Sequence, residues 1–489
     1  MNENTNSGHS NSTAKFLLTL LFVLATFVAL ILSFSSSRPQ DVSPESRNFI
    51  SWAEANKIVL TKWNKSIDDL PKENLFIITP HNESIRILFN HLFQIHYAIE
   101  HGKRISIWWQ DAGGGSSAIL QHLSEDKSME SGMDIDVVFG GGEYLFQQLA
   151  ERGLLQPLEI DDQTLAQIPD KFNGISFYNP DLTWCGNVIS GFGFLYNVEK
   201  IKSTGLSDLE TWQNLAAPEL FGQVAIADPR KSGSTMAAFE MIVQSEADWQ
   251  SGWETLFNIL SSSKEFTQTS QDAANAPLFE QTAAAICIDF YGISRVENEP
   301  DCLKYVSPQG QTAFTPDPIA VMKDAPNKQA AQAFAAFVLS MEGQKLWGLQ
   351  KQVNDPLSIN ALYRSPIRKD FYTEFSNALP PWVKNPYESG SQMDFDPELR
   401  SVRYPVLLEL IKAAALDDFE LMKGVRKKLI EQNPENPRAM SWLPENADTI
   451  EEIRRLSTLF KDNGQKEAVT AAWRQYYQNV YQEALSSAP

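Results

Sequence analysis

Val224-Ala-Ile-Ala-Asp-Pro-Arg-Lys-Ser-Gly-Ser-Thr235 is the stretch on which the fold turns. Its first four residues read as a short buried strand. Asp228-Pro229 stops that strand, and the small residues from Ser232 open a helix that runs through Val243. A strand ending in such a loop turns free backbone N–H groups toward whatever lies beyond the sheet, a setting suited to an anion or a polar solute.

The same pattern recurs on either side. Upstream, Leu75-Phe-Ile-Ile78 leads through Thr79-Pro-His-Asn82 into a helix striped by Ile85, Leu88, Phe89, Leu92, His96 and Ile99. Arg104-Ile-Ser-Ile-Trp-Trp109 leads through Gly113-Gly-Gly-Ser-Ser117 into a helix over 118–123, and the strand 135–139 leads through Gly140-Gly-Gly-Glu143 into a helix over 144–152. Downstream, residues 265–270 open another helix, Ala284-Ala-Ile-Cys-Ile288 ends at Asp289-Phe-Tyr-Gly292, and Pro318-Ile-Ala-Val-Met322 precedes a helix striped by Ala330, Phe334, Phe337, Val338 and Met341. Alternating strands and helices of this length imply an α/β fold with right-handed parallel crossovers. The ligand crevice of such a sheet lies beyond the carboxyl ends of its strands, where these loops fall.

Length divides the chain further. About 450 residues follow the N-terminal segment and its linker, too many for one compact core, so two lobes and an extension are expected. Residues 1–40 are expected to be a signal peptide or membrane anchor with a Ser/Pro linker: 16–34 is apolar and long enough to span a bilayer, placing the rest outside the cytoplasm. Lobe 1 is expected over 73–185 with 305–350 returning to it, lobe 2 over 186–304, and a helical extension over 351–489 packed on lobe 1. A net charge of -20 argues against nucleic acid as a partner. Cys185, Cys287 and Cys302 cannot all pair within one chain, and Cys287 sits inside an apolar strand, which favours a buried free thiol over a Cys287–Cys302 disulfide.

Four segments, in order, resemble the solute-binding proteins of ferric-iron-type ABC importers: Asp136-Val-Val-Phe with Leu149-Ala-Glu-Arg-Gly-Leu-Leu-Gln-Pro-Leu158; Ala225 to Ser234; Ala284 to Tyr291; and Lys323-Asp-Ala-Pro-Asn with Phe334 to Gln344. The resemblance covers residues 73–350. It implies a two-lobed type 2 periplasmic-binding fold, a monomer that holds one small-molecule solute in the interlobe cleft and hands it to ABC permease subunits in the membrane. No cofactor and no catalysis are expected, since the chain carries no Gly-x-Ser-x-Gly, His-Glu-x-x-His or Gly-x-x-x-x-Gly-Lys motif.

The candidate ligand-binding residues stand at the strand ends: His81 and Asn82; Gly114, Gly115, Ser116 and Ser117; Gly142 and Glu143; Arg230, Lys231, Ser232, Gly233, Ser234 and Thr235; Thr269 and Ser270; Asp289 and Tyr291. Hydroxyls beside helix starts, with two cations, favour a phosphorylated or carboxylated small molecule. Iron-binding members carry two adjacent tyrosines where this chain has Phe290-Tyr291. A ferric receptor using His81, Glu143 and Tyr291 is therefore the alternative, short of one phenolate. An enzyme on the same fold is a third reading.

Overall fold

The computed structural model describes residues 50–124, 135–351, 357, 359–388, 393–435 and 437–487. The apolar segment 16–34 and its anchor or signal-peptide reading lie outside them. Among the described residues no helix is long and apolar enough to cross a membrane.

The strand–helix units form as their patterns dictate. Strand Lys72–Ile78 runs parallel to Arg104–Gln110 on one side and to Val137–Phe139 on the other. The intervening helix, Glu83–His101, starts where the Asn82 side chain accepts from the Ile85 N–H. It stops at Gly102, whose φ of 62° and close approach to Trp63 leave no room for a Cβ. Antiparallel strand Thr315–Met322 pairs with Val137–Phe139 and with Cys185–Ser190, and Ser365–Pro366 closes that edge. Phe89, Phe139, Phe334 and Trp347 lock the helices onto this sheet, with ring centroids 4.6–5.9 Å apart for Phe89–Phe139, Phe89–Trp347, Phe139–Phe334 and Phe139–Trp347.

The second sheet has the order Ser263–Thr267, Val224–Ala227, Ala284–Ile288, Phe192–Asn197, Leu303–Val306. The strand read first in the sequence, Val224–Ala227, is parallel to both neighbours. Strand Phe192–Asn197 is antiparallel to both of its own. The chain passes between sheets twice: at Gly191, between strands Cys185–Ser190 and Phe192–Asn197, and over 307–314. Residues 186–190, assigned to the second lobe from sequence, pair in the first sheet. The run from Cys185 to Asn197 is buried throughout, so nothing local marks the crossing. Asp289 pins it, accepting from the Gly191 N–H at 2.6 Å and the Phe290 N–H at 2.7 Å.

The extension does not pack on the first lobe alone. Its early part does: Ser365–Pro366 pairs with Val188 and Ile189, and the Tyr387 hydroxyl reaches the Ile367 carbonyl beside Phe172. From helix Pro397–Ile411 onward it lies against the second lobe. Trp249 Nε1 donates to the Ala447 carbonyl (2.8 Å), Trp253 Nε1 to Trp442 (3.0 Å) and Asn258 Nδ2 to Met440 (3.2 Å). Trp253, Phe257, Tyr477 and Tyr481 form the seam, and burying these rings is the reason for the placement. Cys185 and Cys287 are buried free thiols and Cys302 is an exposed one.

Candidate functional site

Between the two sheets lies a cleft of about 1040 Å³, at the upper end of the roughly 300–1,000 Å³ usual for small-molecule sites. Its walls are the strand-end loops. Fifteen of the sequence-selected residues line it: His81, Asn82, Gly114, Gly115, Ser116, Ser117, Gly142, Glu143, Lys231, Ser232, Gly233, Ser234, Thr269, Ser270 and Tyr291.

Three selected residues do not line it. Arg230 is turned away, its Nε and Nη2 gripping the Asp228 carboxylate at 2.9 and 2.6 Å. Thr235 is buried behind Ser232, whose hydroxyl accepts from its N–H (3.1 Å) and its Oγ1 (2.9 Å). Asp289 serves the crossing strand, as described above.

Several of the lining residues already have partners within the protein. His81 Nε2 lies 3.2 Å from Asp317 Oδ2 and 3.2 Å from Arg364 Nη1. Arg364 Nη2 donates to Asp317 Oδ2 (2.8 Å) and to the Ser190 hydroxyl (2.6 Å). The N–H groups of Gly141 and Gly142 donate to Asp317 Oδ1 at 2.8 and 3.0 Å, so this glycine loop spends its amides on a carboxylate of its own. Burial by itself would raise the Asp317 carboxyl; Arg364, His81 and the Gly142 amide hold it well below the usual carboxylate range. Burial depresses the His81 imidazole, against the pull of the Asp317 carboxylate. Glu143 is buried, 3.2 Å from Arg400 Nη1, and its carboxyl is pushed up by burial against the pull of that arginine.

These pairings bear directly on iron. His81 and Glu143 are engaged by arginines, and burial pushes the Tyr291 phenol up, away from the phenolate that a hard cation wants. Among the described residues no group of three or more His, Cys, Asp or Glu converges as a metal site.

The hydroxyls are arranged differently. Ser232, Ser234 and Ser270 form a triangle with Oγ–Oγ distances of 2.7, 2.9 and 3.1 Å, at the starts of helices Gly233–Gln244 and Ser270–Leu278. Ser232 Oγ already accepts twice from Thr235, so it can only donate within the triangle. One further proton settles the Ser234–Ser270 contact, and the third is left uncommitted within the triangle. Ser116 and Ser117 begin helix Ser116–Ser124 on the opposite wall, and Arg86 and Lys231 add positive charge.

The walls touch at their tips. The Gly115 N–H donates to the Lys231 carbonyl at 2.9 Å, and a Cβ on Gly233 would fall 1.9 Å from Ser116 Oγ. The two lobes are therefore closed against each other through glycines, the residues that allow backbone to approach this closely.

Asp317, Arg364, Arg400 and Tyr404 escaped the sequence reading. A carboxylate between two prolines at the head of a buried strand, and a lone cation in the Ala361-Leu-Tyr-Arg-Ser-Pro-Ile367 run, are the local signals that could have found the first two. Nothing local announces the others.

Residues 134–368 match the sequence profile of the bacterial extracellular solute-binding proteins. The phosphoglycerate transport regulatory protein PgtC of Salmonella typhimurium is 27% identical over 234 residues, 47% of this chain and 55% of that one, so little more than half of that relative is spanned. Among solved structures, the periplasmic binding protein AfuA of Actinobacillus pleuropneumoniae, determined with exogenous fructose-6-phosphate bound, aligns with a TM-score of 0.55 at 18% identity, over 74% of this chain and 99% of AfuA. Iron-bound HitA of Pseudomonas aeruginosa aligns at 0.51 and 18% identity, over 68% of this chain and 98% of HitA. At such identities the likeness concerns the fold. Over residues 134–368 the chain thus carries the sequence profile of the bacterial extracellular solute-binding proteins, on a two-sheet fold with an interlobe cleft like that of the periplasmic binding proteins AfuA and HitA.

Proposed function

We propose that this protein captures a small phosphorylated solute in its interlobe cleft, outside the cytoplasm, and delivers it to the permease of an ABC importer. The observation that carries this reading is the Ser232–Ser234–Ser270 triangle, which sets three hydroxyls, one with an uncommitted proton, and two helix starts together on the wall of the cleft. Donors of this kind suit an anion with several acceptor oxygens, and each bond to a charged oxygen contributes about 1.5–3 kcal/mol. Lys231, Arg86 and the seryl start of the facing helix supply the remaining complement. The relative named for phosphoglycerate transport and the neighbour solved with fructose-6-phosphate support the same solute class.

Ferric iron is the weaker reading, because two of its three candidate ligands are held by arginines in this chain. A thermal-shift series with fructose 6-phosphate, 3-phosphoglycerate, their unphosphorylated parents and ferric citrate tests the assignment. Stabilisation by the phosphorylated members alone is the expected result. Equal responses to the parents, or a response confined to ferric citrate, would overturn it.

A further inference from the structure

Helix Pro397–Ile411, in the extension, carries two buried arginines one turn apart, and each meets a carboxylate of a different lobe. Arg403 Nη1 donates to Glu240 Oε1 (2.8 Å) in the helix behind the Ser232 loop, while Arg400 Nη1 donates to Glu143 Oε2 (3.2 Å) at the end of the Gly140–Gly142 loop. One position on from Arg403, the Tyr404 ring stacks on Tyr144 of the first lobe, with centroids 4.0 Å apart and planes at 17°. Its hydroxyl lies 3.5 Å from Ser117 Oγ.

The helix is anchored to the second lobe. Gln244 and Asp396 exchange two hydrogen bonds (2.8 and 2.9 Å), Arg403 lies over Trp249, and the chain beyond is sewn to helix Trp249–Ser261 by the indole and amide bonds described above. Arg400 and Tyr404 are thus the points at which a body fixed to one lobe grips the other. Both line the solute cleft, as do Leu408 and Lys466 of the extension.

We propose that the extension is a third wall of the solute cleft and an interlobe latch, in which Arg400 and Tyr404 are positioning residues that hold Glu143 and Tyr144 of the first lobe against the second. Opening the cleft separates a buried ion pair and a ring stack that a clamp of two lobes alone would lack. This biases the receptor toward closure before solute arrives. It also cancels the charge of Glu143, so that a carboxylate in the wall does not repel an anionic guest. The charge argument rests on the phosphorylated-solute reading; the latch does not.

The test reads distance in solute-free protein. Spin labels on exposed Cys302 of the second lobe and on an introduced Glu151→Cys of the first report the interlobe separation by pulsed electron spin resonance. The parent is expected to give a narrow, short distribution without solute. Arg400→Met with Tyr404→Leu should raise the ratio of open to closed molecules tenfold or more, with Arg400→Lys intermediate. Glu143→Gln, which attacks the pair from the other lobe, should shift the distribution in the same direction and serves if the double variant does not fold. Unchanged distributions in the variants, or a parent that is fully open without solute, would overturn the latch. Titration with fructose 6-phosphate is read separately: no binding with a shifted distribution sinks the solute class alone, and binding with unshifted distances sinks the latch alone.

Discussion

Gly115→Ala is the substitution whose effect can be worked most directly from the contact between the lobes. The new Cβ would stand 2.3 Å from the Lys231 carbonyl oxygen and 3.4 Å from the Lys231 carbonyl carbon. That oxygen belongs to the backbone of the opposite lobe, so relief requires the loops to part by about 1 Å. Parting removes the Gly115 N–H to Lys231 bond, a net loss of about 0.5–1.5 kcal/mol, and overpacking of this kind costs about 1–3 kcal/mol. Taken together, the closed form should lose roughly 1.5–4.5 kcal/mol, which corresponds to roughly a 10- to 2000-fold weaker affinity for any solute that needs closure. Gly115 does not lie in the left-handed region, so alanine is tolerated by its own backbone, and each lobe should keep its unfolding temperature. Isothermal titration with fructose 6-phosphate, set beside Gly114→Ala as control, makes the comparison. Gly114 meets only Ala118 Cβ of its own helix, at 3.0 Å. An affinity for Gly115→Ala within threefold of the parent would refute the closed-lobe reasoning.

Ser234→Ala and Ser270→Ala should each weaken a phosphorylated probe roughly 10- to 100-fold, because either change removes or re-aims the one hydroxyl proton left for a charged oxygen, whereas Arg230→Ala should leave affinity within threefold because its guanidinium serves Asp228; titration of the three variants decides it. Burial raises the Asp289 carboxyl from 3.8 to about 6, so the folded protein keeps this proton longer than the unfolded chain does. Its contribution to stability is complete below pH 4 and is lost as pH rises through 6, by about 3 kcal/mol. Asp289→Asn should therefore flatten the stability profile between pH 4 and 7, and parallel profiles for the two proteins would count against the shift. Cys302 should react with a disulfide reagent at once, while Cys185 and Cys287, whose thiols burial pushes up and the latter to about 12, should react only on unfolding; three fast thiols in a kinetic titration would contradict the fold.

Much of the architecture was legible because it is written locally. Strand Val224–Ala227 and strand Ala284–Ile288 fall where their apolar runs place them, and the loops after Val224–Ala227 and Ser263–Thr267 open helices at Gly233 and Ser270 because serine and threonine cap those helices through their own hydroxyls. Fifteen of the candidate residues line one cleft for the same reason: a strand end and the helix start that follows it are neighbours in sequence. Arg230 was misread because its partner, Asp228, is only two residues away and a cation on a loop looks free until its carboxylate is seen to face it.

Sequence by itself determined the strands, the helix starts and the loops that carry donors, since these depend on periodicity and capping within a few residues. Tertiary structure alone decided which of those donors remain for a guest. Asp317 takes the Gly141 and Gly142 amides from about 175 residues away, and Arg400 takes Glu143 from 257. It likewise set the late helices on the second lobe, where Trp253 and Tyr477 meet. Charges and rings find partners by proximity in space, and no local pattern in the chain encodes a distance between residues so far apart along it.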